Sequence, residues 1–152
     1  MTITRILFLL LAVASLTFSA CGDDEVDPNQ ATNDALDGDW EVESFIAIGG
    51  TGSAELMGNS FTAVELDFEK QGPFDGEYAF TFIATPANGG TTTVIRGDYE
   101  IENNGTEITL MPDGGGDDEE YDIEIDGDDL ELDGLFTFDS GAVRAQIKAE
   151  RD

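Results

Sequence analysis

Cys21 is the only cysteine in a chain of 152 residues that has no histidine. It follows Thr17-Phe18-Ser19-Ala20, at the end of an apolar run that begins after one basic residue, Arg5. Residues 6–14 are apolar without interruption, and a looser stretch reaches Phe18. That length suits the apolar region of a signal peptide and falls short of the roughly 18 residues that span a bilayer. Small residues at positions 19 and 20 place a cut just ahead of Cys21. Phe18, three residues before the cut, argues against ordinary signal peptidase. The chemistry implied is acylation of the Cys21 sulfur and of the new amino terminus. Each buried methylene is worth about 0.8 kcal/mol, so two or more chains anchor a protein stably.

The order of a large apolar residue, two small ones and then cysteine resembles the lipobox of bacterial lipoproteins, with Phe18 where Leu is more usual. The resemblance implies export and lipid attachment at Cys21. A lone thiol cannot form an intramolecular disulfide, and lipidation gives it a use. The alternative is a secreted protein with an incidental cysteine.

Lack of histidine removes the commonest general base, the Ser-His and Cys-His nucleophile pairs, and most zinc, copper or iron sites. A carboxylate pair of the glycosidase kind remains. With 34 acidic residues, two lying near each other carries no information. The sequence therefore predicts no catalytic residues and no enzyme. Asp122 to Asp133 superficially fits a calcium loop, but Ile123 and Ile125 alternate as in a strand. Asp113, Asp117, Asp118 and Glu119 form a glycine-rich acidic loop and are weak calcium candidates. Diffuse screening by divalent ions is the other reading of that loop. No other cofactor is expected.

Removing residues 1–20 takes away one of six basic residues, Arg5, and no acid, so the formal net charge moves from −28 to −29. Such a surface repels phosphate backbones, which argues against nucleic acid as a partner. Charged partners should be cations or basic proteins.

Residues 22–36 carry many acids, Pro28 and several amides, with almost nothing apolar. Residues 21–36 are expected to be a flexible acidic tether, reaching about 50 Å at roughly 3.3 Å per extended residue. The acids after Cys21 also resemble the export signal of Bacteroidota-type lipoproteins. That would place the protein on the outer membrane, on its periplasmic face or at the cell surface. A plain solvated linker is the alternative.

From Asp39 onward apolar and polar residues alternate between Gly, Asn, Asp and Pro clusters, which is an antiparallel all-β pattern. Eight strands are expected at 40–48, 61–69, 77–85, 91–102, 106–111, 120–126, 129–138 and 142–150. In the first, Trp40, Val42, Ile46 and Ile48 should share a face. Gly134 reads as a bend or bulge, and Glu55-Leu56-Met57 as a short helical turn. Short connections such as Asn104-Gly105 and Asp126-Gly127 favour hairpins. Eight sequence-local hairpin strands with one apolar face each fit an eight-stranded antiparallel up-and-down β-barrel over 37–152. A two-sheet sandwich is the rival, and one monomeric domain is expected.

The Gly-x-Trp at Gly38 and Trp40, opening the first strand, resembles the lipocalin signature. Gly97-Asp98-Tyr99-Glu100-Ile101, Thr106 to Leu110 and Asp129 to Leu132 resemble short bacterial lipocalin-like lipoproteins. The resemblance implies that Trp40 closes one barrel end under a basic side chain of the last strand. Arg144 is the candidate, although strand phase puts it outside. It also implies a calyx for a small apolar molecule, with Trp40, Phe68, Phe80, Phe82 and Tyr99 as candidate lining residues. Tyr121, Phe136 and Phe138 share that inward set. An eight-stranded barrel is just wide enough to be filled by side chains or to hold one small ligand. Two functions are carried forward: a membrane-anchored binding module, and a filled barrel serving as a structural or protein-interaction module.

Overall fold

The computed structural model describes residues 26–49, 52–138 and 141–152. The expected signal peptide, the lipid-attachment residue Cys21, most of the acidic run after it and the side chain of Phe138 lie outside the described residues. A helix α1 (Pro28–Leu36) precedes strands β1 (Gly38–Gly49), β2 (Gly52–Glu55), β3 (Phe61–Lys70), β4 (Asp75–Ala84) and β5 (Thr92–Glu102). Strands β6 (Glu107–Pro112), β7 (Glu119–Asp126), β8 (Asp129–Phe138) and β9 (Gly141–Arg151) follow.

Strands β3 to β9 pair in sequence order, β1 pairs with β3, and β9 returns to β1. All pairings are antiparallel, so eight strands close an up-and-down barrel, with β2 as an extra strand on β1. Closure removes the sheet edges and hides one continuous apolar surface. The inward set includes Val64, Leu66, Phe80, Ile101, Leu110, Leu132 and Ile147, each at most 1% exposed. The sandwich alternative falls.

Four local expectations are corrected. First, β1 carries a bulge: Val42 faces Ala149 of β9, Ser44 faces Lys148, and Glu43 is the extra residue. An extra residue inverts the two-residue phase. Phe45 therefore enters the core, while Ile46 is half-buried and Ile48 exposed. Second, the register of β8 runs unbroken through Gly134. That glycine makes room, because a Cβ there would lie 2.3 Å from the ring of Tyr121, its partner on β7.

Third, residues 52–55 form β2, and the expected turn comes after it, closed by the Ser60 N–H on Leu56 O at 2.8 Å. The Glu55 carboxylate accepts from the Phe45 N–H at 2.8 Å, the Met57 N–H at 3.0 Å and the Ser44 hydroxyl at 2.8 Å. Desolvation pushes its pKa up, but these hydrogen bonds outweigh that and hold it below the ordinary carboxylate value.

Fourth, the expected tether is helical over Pro28–Leu36 and packs across one end of the barrel. Asp27 caps it by accepting from the Asn29 N–H at 2.9 Å, and Pro28 sits in the first turn, where its missing N–H costs nothing. Nine residues, with Leu36 the only large apolar one, would not hold a helix alone in water. Docking holds it: the Thr32 hydroxyl donates to Gly105 O at 3.0 Å and the Gly105 N–H donates to Asn29 Oδ1 at 2.6 Å. Gly105 has φ 79° and would bring a Cβ within 2.2 Å of Thr32 Oγ1, so that turn requires glycine twice over.

Candidate functional site

The two ends of the barrel differ in chemistry. At the helix end, the Trp40 indole N–H donates to Leu36 O at 2.9 Å, and the Arg151 guanidinium lies 4.3 Å from the Trp40 ring centroid. Arg151 also donates to Asp37 O at 2.8 Å and to Ala35 O. The Ala35 and Leu36 carbonyls, which a helix end leaves without partners, are thereby satisfied. The stacking residue is Arg151, not Arg144, which is exposed and paired with Asp133 at 2.9 Å. Carrying the inward phase of Ala145, Ile147 and Ala149 one step further would have found it.

Inside that end, Asn33 is fully buried, and its amide donates to Gly72 O at 3.1 Å and Asp75 O at 3.2 Å. Its Oδ1 accepts from the Tyr99 hydroxyl at 2.7 Å. Phe68 packs edge-on against both Phe80 and Tyr99, with ring centroids 5.6 and 5.5 Å apart. This end is sealed by side chains.

All five candidate lining residues are buried: Trp40, Phe68 and Phe80 at 1% exposure, Phe82 at 3% and Tyr99 at 0%. They do not share a pocket. Phe82 packs against Phe45 and Phe61, with centroids 6.2 and 5.3 Å away, and Trp40, Phe68 and Tyr99 belong to the sealed end. Phe82 lies farther along β4 toward the opposite end, and of the five only Phe80 lines the apolar pocket of about 170 Å³ that opens there beneath the 113–118 loop. Tyr78, Ile95, Leu110, Phe136 and Glu119 line it with Phe80.

Glu119 is the first residue of β7 and shares the inward phase of Tyr121 and Ile123. Its carboxylate accepts from the Tyr121 hydroxyl at 2.6 Å and the Thr137 N–H at 2.9 Å. Desolvation and that carboxylate push the Tyr121 hydroxyl well above its ordinary value. The weak calcium candidates do not assemble: Asp113 lines an outer groove with Asp67, Arg96 and Asp98, Asp118 is exposed, and Glu119 turns inward. Among the described residues no three acidic side chains are arranged to hold a metal ion.

The lipocalin-like domain family matches residues 36–132, from the end of α1 through the first half of β8. No curated protein matches the sequence. Solved structures share the fold at low identity. A redesigned β-barrel, b11L5F_LGL, is 13% identical with a TM-score of 0.54, over 80% of this chain and 95% of that one. The siderocalin Ex-FABP, described as functioning through dual ligand specificities, is 6% identical with a TM-score of 0.55, over 78% of this chain and 74% of that one. Lobster apocrustacyanin A1 is 13% identical with a TM-score of 0.51, over 84% and 70%. The family match covers more than half of the sequence and takes in six of the eight barrel strands and the start of a seventh, so this chain belongs to the lipocalin-like domain family.

Proposed function

We propose that this protein is a non-enzymatic binding module for a small apolar ligand, held by lipid on Cys21 at the outer membrane of a bacterial cell, on its periplasmic face or at the surface. The observation that carries the ligand reading is the asymmetry of the barrel. One end is sealed by α1, Trp40 and Arg151, while the other keeps an apolar pocket of about 170 Å³. An apolar cavity of similar size holds a benzene-sized molecule, whereas pockets for drug-sized ligands start near 300 Å³. The ligand is therefore a single ring or a short chain.

Mass spectrometry of the natively purified protein tests this reading, with a co-purified small apolar compound as the expected result. Failure of any such compound to co-purify or to bind in titration would overturn it. A Cys21→Ser variant should leave the membrane fraction, and its retention there would remove the anchor.

A second reading, a structural or protein-interaction module, draws on the ring packing through the middle of the lumen. Phe45, Phe80 and Phe136 lie with centroids 5.4 and 6.2 Å apart and leave no central calyx between them. Capture of a protein partner by a barrel that takes up no small molecule would favour it.

A further inference from the structure

The pocket at the open end is mainly apolar. Phe80, Ile95, Leu110 and Phe136 supply the apolar walls, and Glu119 brings a carboxylate to them. Both Glu119 oxygens already accept one hydrogen bond, from Tyr121 and Thr137, which fixes the carboxylate in place. Each oxygen retains a further lone pair. No basic residue lines the pocket, and Asp117 lies at its rim.

Tyr78 is a second and independent pointer. It is only 3% exposed, and its ring lies 4.9 Å from that of Phe80. The other two tyrosines donate, to Asn33 and to Glu119, whereas the Tyr78 hydroxyl makes no hydrogen bond with any described residue. Among the described residues no sequestered side-chain polar atom lacks a partner, so the small open part of Tyr78 includes its hydroxyl. A tyrosine this buried ordinarily satisfies its hydroxyl within the protein. Desolvation, with Glu119, Asp113 and Asp98, pushes its pKa well up, as a negative potential around the pocket would.

We infer that the open-end pocket takes a small organic ammonium ion, with its ring or short chain among Phe80, Ile95, Leu110 and Phe136 and its charged head at Glu119 and the Tyr78 hydroxyl. This assignment rests on the binding-module reading and names the ligand class for that site. Tyr78 accepts an N–H of the ammonium, and Glu119 supplies the countercharge in a medium drier than water, where a charge-assisted hydrogen bond is strong.

The test is titration calorimetry of the full chain at about 0.15 M salt, where exposed charges are largely screened. The probes are 2-phenylethylammonium, its near-isostere 2-phenylethanol and the anion phenylacetate. The ammonium should bind about tenfold more tightly than the alcohol, the size of one charge-assisted hydrogen bond, and phenylacetate should not bind. Glu119→Gln should bring the ammonium down to the alcohol's affinity. Tyr78→Phe, which keeps Glu119 and its partners, should weaken the ammonium several-fold and serves if the Glu119 variant does not fold. Equal binding of ammonium and alcohol overturns the charge assignment and leaves the binding-module reading intact. An ammonium preference that survives both substitutions locates it on the acidic surface and overturns the assignment too. Absence of binding by all three probes overturns it, and the co-purification experiment then decides the broader reading separately.

Discussion

The Tyr99 hydroxyl donates to Asn33 Oδ1 at 2.7 Å and joins residues 66 positions apart, one on β5 and one on α1. Both side chains are fully buried, and the Asn33 amide is also occupied by Gly72 O and Asp75 O. Tyr99 itself lies over Gly76, its partner on β4, where a Cβ would come within 2.6 Å of the hydroxyl. One amide thus ties the helix to the β3–β4 turn and to the barrel wall.

Asn33→Ala should cost about 1–3 kcal/mol, because it strands a buried hydroxyl and the Gly72 carbonyl, whereas Asp75 O keeps the N–H groups of Gln71 and Gly72. Tyr99→Phe should cost less, about 1 kcal/mol, since the amide keeps its other two bonds. Urea denaturation of both variants and the double variant checks this. Additive losses would show that the two residues are not coupled.

Arg151 makes a second tie at the same end, by stacking on Trp40 and donating to the carbonyls of Ala35 and Asp37. Arg151→Lys keeps the charge but cannot stack a planar fork while reaching both carbonyls. A loss of about 1–2 kcal/mol is expected. Trp40 is the only tryptophan, so its fluorescence reports the change directly. Emission should shift to longer wavelength as the ring gains water, and an unmoved spectrum would mean that Arg151 does not cover it.

Period-two alternation made the barrel strands legible, because each buries one face only. Tyr78, Phe80 and Phe82 on β4 and Tyr121 and Ile123 on β7 point inward as the alternation predicts. Where the sequence misled, another force had taken over. Helix α1 has no apolar stripe to read, since it docks through Asn29, Thr32 and Asn33 to turn backbone atoms 39 to 76 residues away. Its one local signal was Asp27-Pro28, a cap followed by a first-turn proline. The β1 bulge at Glu43 leaves no mark in composition, and Phe45 was misplaced with it. Of the candidate site, the sequence supplied the inward rings, but not which end stayed open. That depends on the helix, on the loop above Glu119 and on how the rings pack.

Glu55 should make stability depend on acid. Its carboxylate holds the Phe45 and Met57 N–H groups, and its folded pKa lies below its ordinary value of 4.5. A depressed carboxylate pKa contributes stability that is present above 4.5 and is lost as pH falls through the lower, folded value. Glu55→Gln should therefore cost about 1–2 kcal/mol near neutrality and progressively less below pH 4.5. Denaturation at pH 7 and pH 3 measures the difference, and a penalty unchanged at pH 3 would exclude the ionised carboxylate as its source.

Gly134 is a packing position, and its substitution should show it. Alanine there would sit 2.3 Å from a Tyr121 ring carbon and 2.7 Å from Glu120 O, neither of them the far end of a flexible side chain. Overpacking of this kind costs about 1–3 kcal/mol. Since Tyr121 holds Glu119 at 2.6 Å, the same change should also disturb the open-end pocket. Gly127, at φ 65° with nothing near its Cβ, provides a control in which only backbone strain is added. Comparable losses with an unmoved Tyr121 resonance would assign the Gly134 effect to backbone freedom instead.

The outer face of the barrel sets like charges directly opposite one another: Asp39 faces Asp67, Glu41 faces Glu65, Glu77 faces Asp98 and Glu124 faces Glu131. Directly opposed like charges destabilise a strand pair. Desolvation raises the Asp67 pKa, and Asp39 and Asp37 raise it further against the opposing pull of Arg96. A raised carboxylate pKa means that the folded state resists ionisation, so the penalty is present at neutral pH and is relieved as pH falls through the folded value. Asp67→Asn should accordingly raise Tm at pH 7 in low salt. Sodium chloride should raise the wild-type Tm by screening the same repulsion, and the gain from Asp67→Asn should shrink as salt is added. A Tm that stays flat from low salt to about 1 M would remove self-repulsion as a significant force on this barrel.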